Sequence, residues 1–195
     1  MSLRVLHAVR GLFPSGVTIV TTTDRTGRPH GFTASSFTWL SLAPPLVAVS
    51  LARTAHCLPV FCATEGFVVN VLHTGHRDLA LRFASKGEDK FRGGEFTCDD
   101  GDLPRLRDAL AVLVCRALRR PDGGDHIQLV GEVVAHSTDT TRRPMVQYRN
   151  AFHELARVEH APSHPRHPTD HDRDMLHGAA ALTDRGVAAG EGEAQ

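Results

Sequence analysis

Val17-Thr-Ile-Val-Thr-Thr-Thr23, Asp24-Arg-Thr-Gly27 and Pro29-His-Gly-Phe-Thr-Ala-Ser35 read in succession as strand, turn and strand. Every residue of the first run is β-branched, which suits a pleated backbone. Asp24 and Gly27 carry turn chemistry, so the two runs predict an antiparallel hairpin. Outward from it, Leu46–Leu51 and Phe67–Leu72 are short continuous apolar runs, the pattern of strands buried on both faces. Ala109–Arg119 and Ile127–Ser137 predict long strands separated by the turn Pro121-Asp-Gly-Gly124, and Met145–Tyr148 a short final strand. Leu3, Leu6, Val9 and Phe13 recur at helical spacing, and Pro14-Ser-Gly16 ends that amphipathic helix. Cys57–Cys62 predicts a short helix, and His76–Lys86 another with Leu79, Ala80 and Phe83 on one side. Leu103–Ala109 fits helix or strand. About seven strands without βαβ alternation predict a mainly β protein, an antiparallel barrel with a few short helices. Closure would remove exposed sheet edges. The chain has no Gly-x-Gly-x-x-Gly loop after a strand, which argues against a Rossmann domain.

The 195 residues suffice for one domain with a full core. Apolar residues make up 41% and charged residues 23%, and 22 basic residues balance 22 acidic ones. A net charge of zero gives no general attraction to nucleic acid or an anionic membrane. No apolar run is long enough to span a bilayer. Arg4, His7 and Arg10 interrupt the N-terminal apolar positions, so no secretory signal is expected. Cys57, Cys62, Cys98 and Cys115 form no Cys-x-x-Cys pair and are expected to be reduced thiols in a cytoplasmic protein. The 13 histidines do not show the spacing of converging ligands, and no metal site is expected. Residues 1–158 are expected to form the folded domain. Residues 159–195, rich in His, Pro, Ala and Gly, are expected to be a flexible tail, because they have little to bury.

Three stretches could carry chemistry. In Gly31-Phe-Thr-Ala-Ser-Ser-Phe37 a glycine, small residues and hydroxyls allow close backbone approach to a flat ligand, with donors for its polar edge. Gly124-Asp-His126 is a turn followed by a histidine between two strands. Phe83-Ala-Ser-Lys86, with Lys90-Phe91 soon after, places lysines beside aromatics, where they could pair with phosphate. No Gly-x-Ser-x-Gly elbow supports a serine hydrolase.

Taken in order, Phe13-Pro-Ser-Gly-Val-Thr18, Gly31-Phe-Thr-Ala-Ser-Ser-Phe-Thr38, Ser41-Leu-Ala-Pro-Pro-Leu-Val47, Gly124-Asp-His126 and Gly131-Glu-Val133 resemble the flavin reductase family. These are the NAD(P)H:flavin oxidoreductase components of two-component flavin-dependent monooxygenases. The resemblance runs from about Leu3 to Leu155. It implies a split β-barrel of FMN-binding type, working as a homodimer in the cytoplasm. It implies reduction of free FAD or FMN by NAD(P)H, with NADH favoured, and delivery of reduced flavin to a partner monooxygenase. Two other activities live on the same barrel: flavin binding without turnover, and an oxidase of the pyridoxamine-phosphate type.

By the same resemblance, Thr33, Ala34, Ser35 and Ser36 face the isoalloxazine edge. Ser50, Leu51 and Ala52 end a strand beside the ring or ribityl chain, and Lys90 and Phe91 approach the phosphate. His126 contacts the nicotinamide, and Tyr148 lines the same pocket. The sequence departs from the family where a Ser-Ser-Thr-like run is common, reading Ala55-His56-Cys57. Thr54, Arg53 or His56 would then replace the lost hydroxyls at the phosphate. Trp39 could pack on adenine, on a second subunit or in the core.

Overall fold

The computed structural model describes residues 2–86, 89–97 and 103–156. Cys98 and the expected tail, 159–195, lie outside the described residues. In chain order, α1 (Leu3–Gly11) precedes β1 (Ser15–Gly16), β2 (Thr18–Thr23), β3 (Pro29–Ala34), β4 (Thr38–Leu42) and β5 (Pro45–Ala52). Next come α2 (Leu58–Ala63), β6 (Gly66–Val71), a 3-10 turn (Thr74–His76) and α3 (Arg77–Ala84). β7 (Phe96–Thr97), β8 (Arg105–Leu106), β9 (Ala111–Arg119), β10 (Asp122–Gly123), β11 (His126–Thr138), β12 (Met145–Tyr148) and β13 (Ala151–Glu154) follow.

The main sheet runs β3-β2-β6-β9-β11-β5-β4, with β10 on β11, and its ladders are antiparallel. The expected hairpin is present, with Thr18 opposite Ala34 and Thr23 opposite Pro29. The sheet is the split barrel that the resemblance implies, not the closed barrel that the strand pattern alone suggests. Among the described residues no ladder pairs β3 with β4. A side chain bridges near that seam: Ser36 Oγ accepts from Ser50 N–H at 3.0 Å and donates to Ser50 O at 3.3 Å.

Strand alternation explains the continuous apolar runs. Val20, Phe67, Val69, Leu113 and Cys115 belong to the inner core with Phe61 of α2. Their sequence neighbours Ile19, Val68 and Val112 point to the other face and pack with Leu79, Ala80 and Phe83 of α3. Both faces are therefore covered. Gly131 is required by this packing, since a Cβ there would lie 2.7 Å from Phe67 Cζ and 3.0 Å from Arg116 O.

The ambiguous 103–109 segment contains only the two-residue β8, because one buried side chain fixes it. Asn70 donates to Ile19 O at 3.0 Å and Thr21 Oγ1 at 3.2 Å, and its Oδ1 accepts from Leu106 N–H at 2.8 Å.

Two elements leave apolar side chains in solvent. On α1, Val5, Leu6 and Val9 are exposed, as are Leu12 and Phe13 just beyond it. On β4, Trp39, Leu40 and Leu42 are exposed. Trp39 is thus no core residue; it meets Phe37 edge-on at 6.0 Å.

Candidate functional site

Two cavities meet at Thr33, Ser50, Ala84 and His126. The larger, about 800 Å³, extends over Pro29–Phe32, Leu51, Ala52, Thr54–Cys57 and the segment after α3. The smaller, about 560 Å³, extends over Ala34–Ser36 and the β12–β13 hairpin. Both volumes fall in the range of small-molecule sites.

Leu51, Ala52, Thr54, His56, Lys90 and Phe91 line the larger cavity, as the resemblance expects of flavin-contacting residues. Ser50 is half-buried on its rim and antiparallel to Gln128 of β11. Of the Thr33–Ser36 run, only Thr33 reaches both cavities; Ala34, Ser35 and Ser36 line the smaller one. The Thr33 hydroxyl donates to Ala80 O at 2.6 Å and so ties β3 to α3.

Gly31 does permit a close approach, but to protein. A Cβ there would lie 2.7 Å from Phe83 Cε1, so the glycine seats α3 on β3. Lys90 is also drawn inward. Its ammonium donates to Phe83 O at 2.7 Å and Gly31 O at 3.3 Å. Burial pushes its pKa down, against the opposing pull of Cys57. Lys90 thus locks the cavity wall more than it offers a mobile charge. Lys86 and Arg28, on the same lining, supply exposed cationic side chains instead. Cys57, at the base of this wall, is buried, and burial pushes its thiol up despite Lys90. Cys57, Cys62 and Cys115 are free thiols, and burial raises Cys115 to about 12.

His126 opens β11 opposite Ala52 and lines both cavities. Its Nδ1 lies 2.7 Å from Asp125 Oδ1, and that bond holds the Asp125 carboxyl below its ordinary range. The carboxylate accepts, so Nδ1 carries the proton and Nε2 of the neutral ring is an acceptor. Arg53 is not among the residues that line either cavity. Its Nε donates to Gly124 O at 2.8 Å and its Nη2 to Asp122 Oδ2 at 2.7 Å. Its N–H donates to Asp125 O at 2.9 Å. Arg53 thereby braces the hairpin that presents His126.

Tyr148 lines neither cavity. Successive strand residues face opposite ways, and on β12 it is Gln147 that lines the smaller cavity. Tyr148 packs instead against His153 and under Arg149. Arg149 and Asn150, with φ of 50° and 60°, make the two-residue turn to β13, and Asn150 projects to the smaller cavity. Arg10 of α1 and Arg77 of α3 complete that lining. The sequence reading passed over these residues because no local spacing joins them.

A second polar cluster lies in the 3-10 turn before α3. His73 and His76 are buried with ring centroids 3.7 Å apart, and both Nε2 atoms face Asp108, at 3.4 and 2.9 Å. These three side chains are close enough to hold a metal ion. However, His73 Nδ1 accepts from Gly75 N–H at 3.0 Å, and His76 Nδ1 from His73 N–H at 3.4 Å. Each neutral ring therefore keeps its proton on Nε2 and donates it to Asp108. A metal would need the opposite tautomers, setting His73 Nδ1–H against Gly75 N–H. The cluster is accordingly a closed hydrogen-bonded cap.

Burial pushes the His76 pKa down, against the Asp108 bond that raises it. Burial also raises Asp108, but the bonds from His76 and His73 outweigh it and leave the carboxyl low. A histidine held low in the fold stabilises it fully above its unfolded pKa, about 6.5, and loses that contribution as pH falls below it. His76→Gln can keep an acceptor for His73 N–H and a donor for Asp108 while removing the titration. It is expected to flatten the fall in urea midpoint on acidification. An unchanged pH profile would show that His76 does not set it.

Residues 9–156 match the family described as the flavin reductase like domain. The chain is 48% identical over 139 residues to the actinorhodin polyketide dimerase of Streptomyces coelicolor, covering 71% of this chain and 78% of that protein. It is 43% identical over 141 residues to the NADH:riboflavin 5'-phosphate oxidoreductase of Streptomyces pristinaespiralis, 71% of this chain and 80% of that one. A reductase subunit of a flavin-dependent monooxygenase from Mycobacterium tuberculosis is 33% identical over 84% of this chain and 88% of its own. Among solved structures, the Streptomyces globisporus C-1027 NADH:FAD oxidoreductase, in complex with NAD and FAD fragments, aligns with a TM-score of 0.74. It is 35% identical and is matched over 79% of this chain and 93% of that one.

Proposed function

The chain belongs to the family of flavin reductase-like domains, and from that premise we infer that it is an NADH-dependent flavin reductase acting on free FAD or FMN. The observation that carries this reading is the pair of cavities joined at Thr33, Ser50, Ala84 and His126. Two flat substrates entering from the two sides would meet at that rim.

The larger cavity suits the flavin. Its wall at Ser50–Ala52 is strand backbone and small side chains, and Thr54, His56, Lys86 and Arg28 surround it with polar and cationic groups. Flavin and nicotinamide supply the redox chemistry when bound: a hydride passes from nicotinamide C4 to flavin N5, giving NAD⁺ and reduced flavin. The chain's own work is positioning. The His126 acceptor Nε2, held by Asp125 and braced through Arg53, suits the carboxamide N–H of the nicotinamide. Ser36 and Thr33 hold the β3 end in place through Ser50 and Ala80. No general acid or base is needed for hydride transfer itself.

Reduced flavin then passes to a partner flavin-dependent monooxygenase, in keeping with the reductase subunits among the relatives. The reading places the protein in the cytoplasm, and among the described residues no helix is long and apolar enough to cross a membrane. The protein acts as a homodimer, the exposed apolar residues of α1 and β4 being the surface for a second copy. Sedimentation at micromolar concentration should give twice the chain mass. A monomer that retains activity would contradict this.

The test of function is consumption of NADH by the purified protein with and without added FAD or FMN. Turnover is expected only with added flavin. Flavin binding without NADH consumption would favour a passive binder, and oxidation of pyridoxamine phosphate would favour the oxidase.

A further inference from the structure

We infer that Arg10 and Arg77 form the anion subsite of the smaller cavity and take the diphosphate of the nicotinamide dinucleotide. This rests on the reductase reading above and extends it to residues that no motif marks. Among the described residues the two cavities share only Thr33, Ser50, Ala84 and His126, so two ligands that meet there extend into different linings. Each cavity has its own cations: Arg28, Lys86 and Lys90 in the larger, Arg10 and Arg77 in the smaller.

Among the described residues no carboxylate lines the smaller cavity. Its other polar groups are hydroxyls, the amides of Gln147 and Asn150, and His126. Asp78 approaches Arg77 only to 3.9 Å, with its side chain 97% exposed, too distant and too solvated to neutralise it. The Arg10 side chain makes no hydrogen bond or ion pair with another described residue, while its backbone carbonyl accepts from Phe13 N–H at 3.2 Å; its charge is felt weakly at Asp125, beside His126. Two guanidinium groups on separate helices, open to a neutral cavity, match the two negative charges of a diphosphate. A nicotinamide at His126 would carry its diphosphate into this cavity.

A hydride donor without phosphate separates this role from general damage. Wild type, Arg10→Gln, Arg77→Gln and the double variant should be compared with NADH and with N-benzyl-1,4-dihydronicotinamide, at saturating FAD and then FMN. Each single variant is expected to raise KM for NADH by about 10- to 150-fold, the range for one charge-assisted hydrogen bond. The double variant should raise it further. Rates with the benzyl donor and affinity for both flavins should stay near wild type, and Arg77→Lys should recover part of the loss. Three results would overturn the subsite: unchanged NADH kinetics, equal losses with both donors, or weakened FAD affinity with NADH use intact. The last would assign the arginines to the flavin's own diphosphate. A wild-type protein that oxidises neither donor defeats the reductase reading itself, a result distinct from these three.

Discussion

Replacing His126 with alanine is expected to raise KM for NADH, or slow hydride transfer, by roughly 2- to 150-fold, the span of one lost hydrogen bond of about 0.5–3 kcal/mol. Flavin affinity should barely change. The asymmetry follows from geometry. His126 stands on the rim between the cavities, whereas the larger cavity keeps Ser50, Thr54, His56 and Lys86 in the variant. The histidine is also oriented before any ligand arrives, by Asp125 at 2.7 Å. Separate titrations of NADH and flavin in steady-state kinetics check this. If flavin affinity falls while NADH kinetics stay intact, the histidine serves the other ligand.

Phe61→Ala should cost about 3–5 kcal/mol of stability, the usual loss for a buried phenylalanine. That is a large share of the roughly 5–15 kcal/mol that holds a domain together. Phe61 is 0% exposed and meets Phe32 edge-on at 5.1 Å, so α2 contributes to the inner core mainly through this ring. The backbone of α2 remains anchored without it, because Arg120 Nε donates to Phe61 O at 2.8 Å and its Nη2 to Thr64 O. The loss should therefore appear as a lower denaturation midpoint with an unchanged slope. Leu81→Ala, 48% exposed on α3, is the control and should shift the midpoint little. Similar shifts for the two variants would contradict the core assignment.

The strands that alternate between two covered faces were legible in the sequence. Phe67–Leu72 reads as a buried strand because α3 covers one of its faces and α2 with the opposing strands fills the other, whereas in Leu46–Leu51 the residues Val47, Val49 and Leu51 face the inner core and Leu46 and Ser50 are only half-buried. β4 and β13 were missed for the opposite reason. In Thr38–Leu42 four of five residues are exposed, and in Ala151–Glu154 three of four, so neither carries a buried-face alternation to read. The site divides in the same way. Residues on one local segment, such as Leu51, Ala52, Thr54 and His56, were named through the resemblance, and they line one cavity together. Arg53, three residues before His56, was one of three alternatives for the phosphate, with Thr54 and His56, because its bonds to Asp122 and Gly124 join segments about 70 residues apart, a separation of 69 and 71. Tyr148 was placed in the pocket because strand register, which puts Gln147 there, depends on the pairing with β13. Arg10 and Arg77 share no local motif, and the fold brings them to one cavity.

The central claim is that this chain brings nicotinamide and flavin together for hydride transfer. Anaerobic rapid mixing of the protein with free flavin and NADH tests it most directly, with NADH carrying deuterium on the transferring face of C4 as the comparison. The oxidised flavin band and the NADH band are expected to disappear together, one for one, and deuterium to slow both. Flavin that binds yet stays oxidised in the presence of NADH would contradict it.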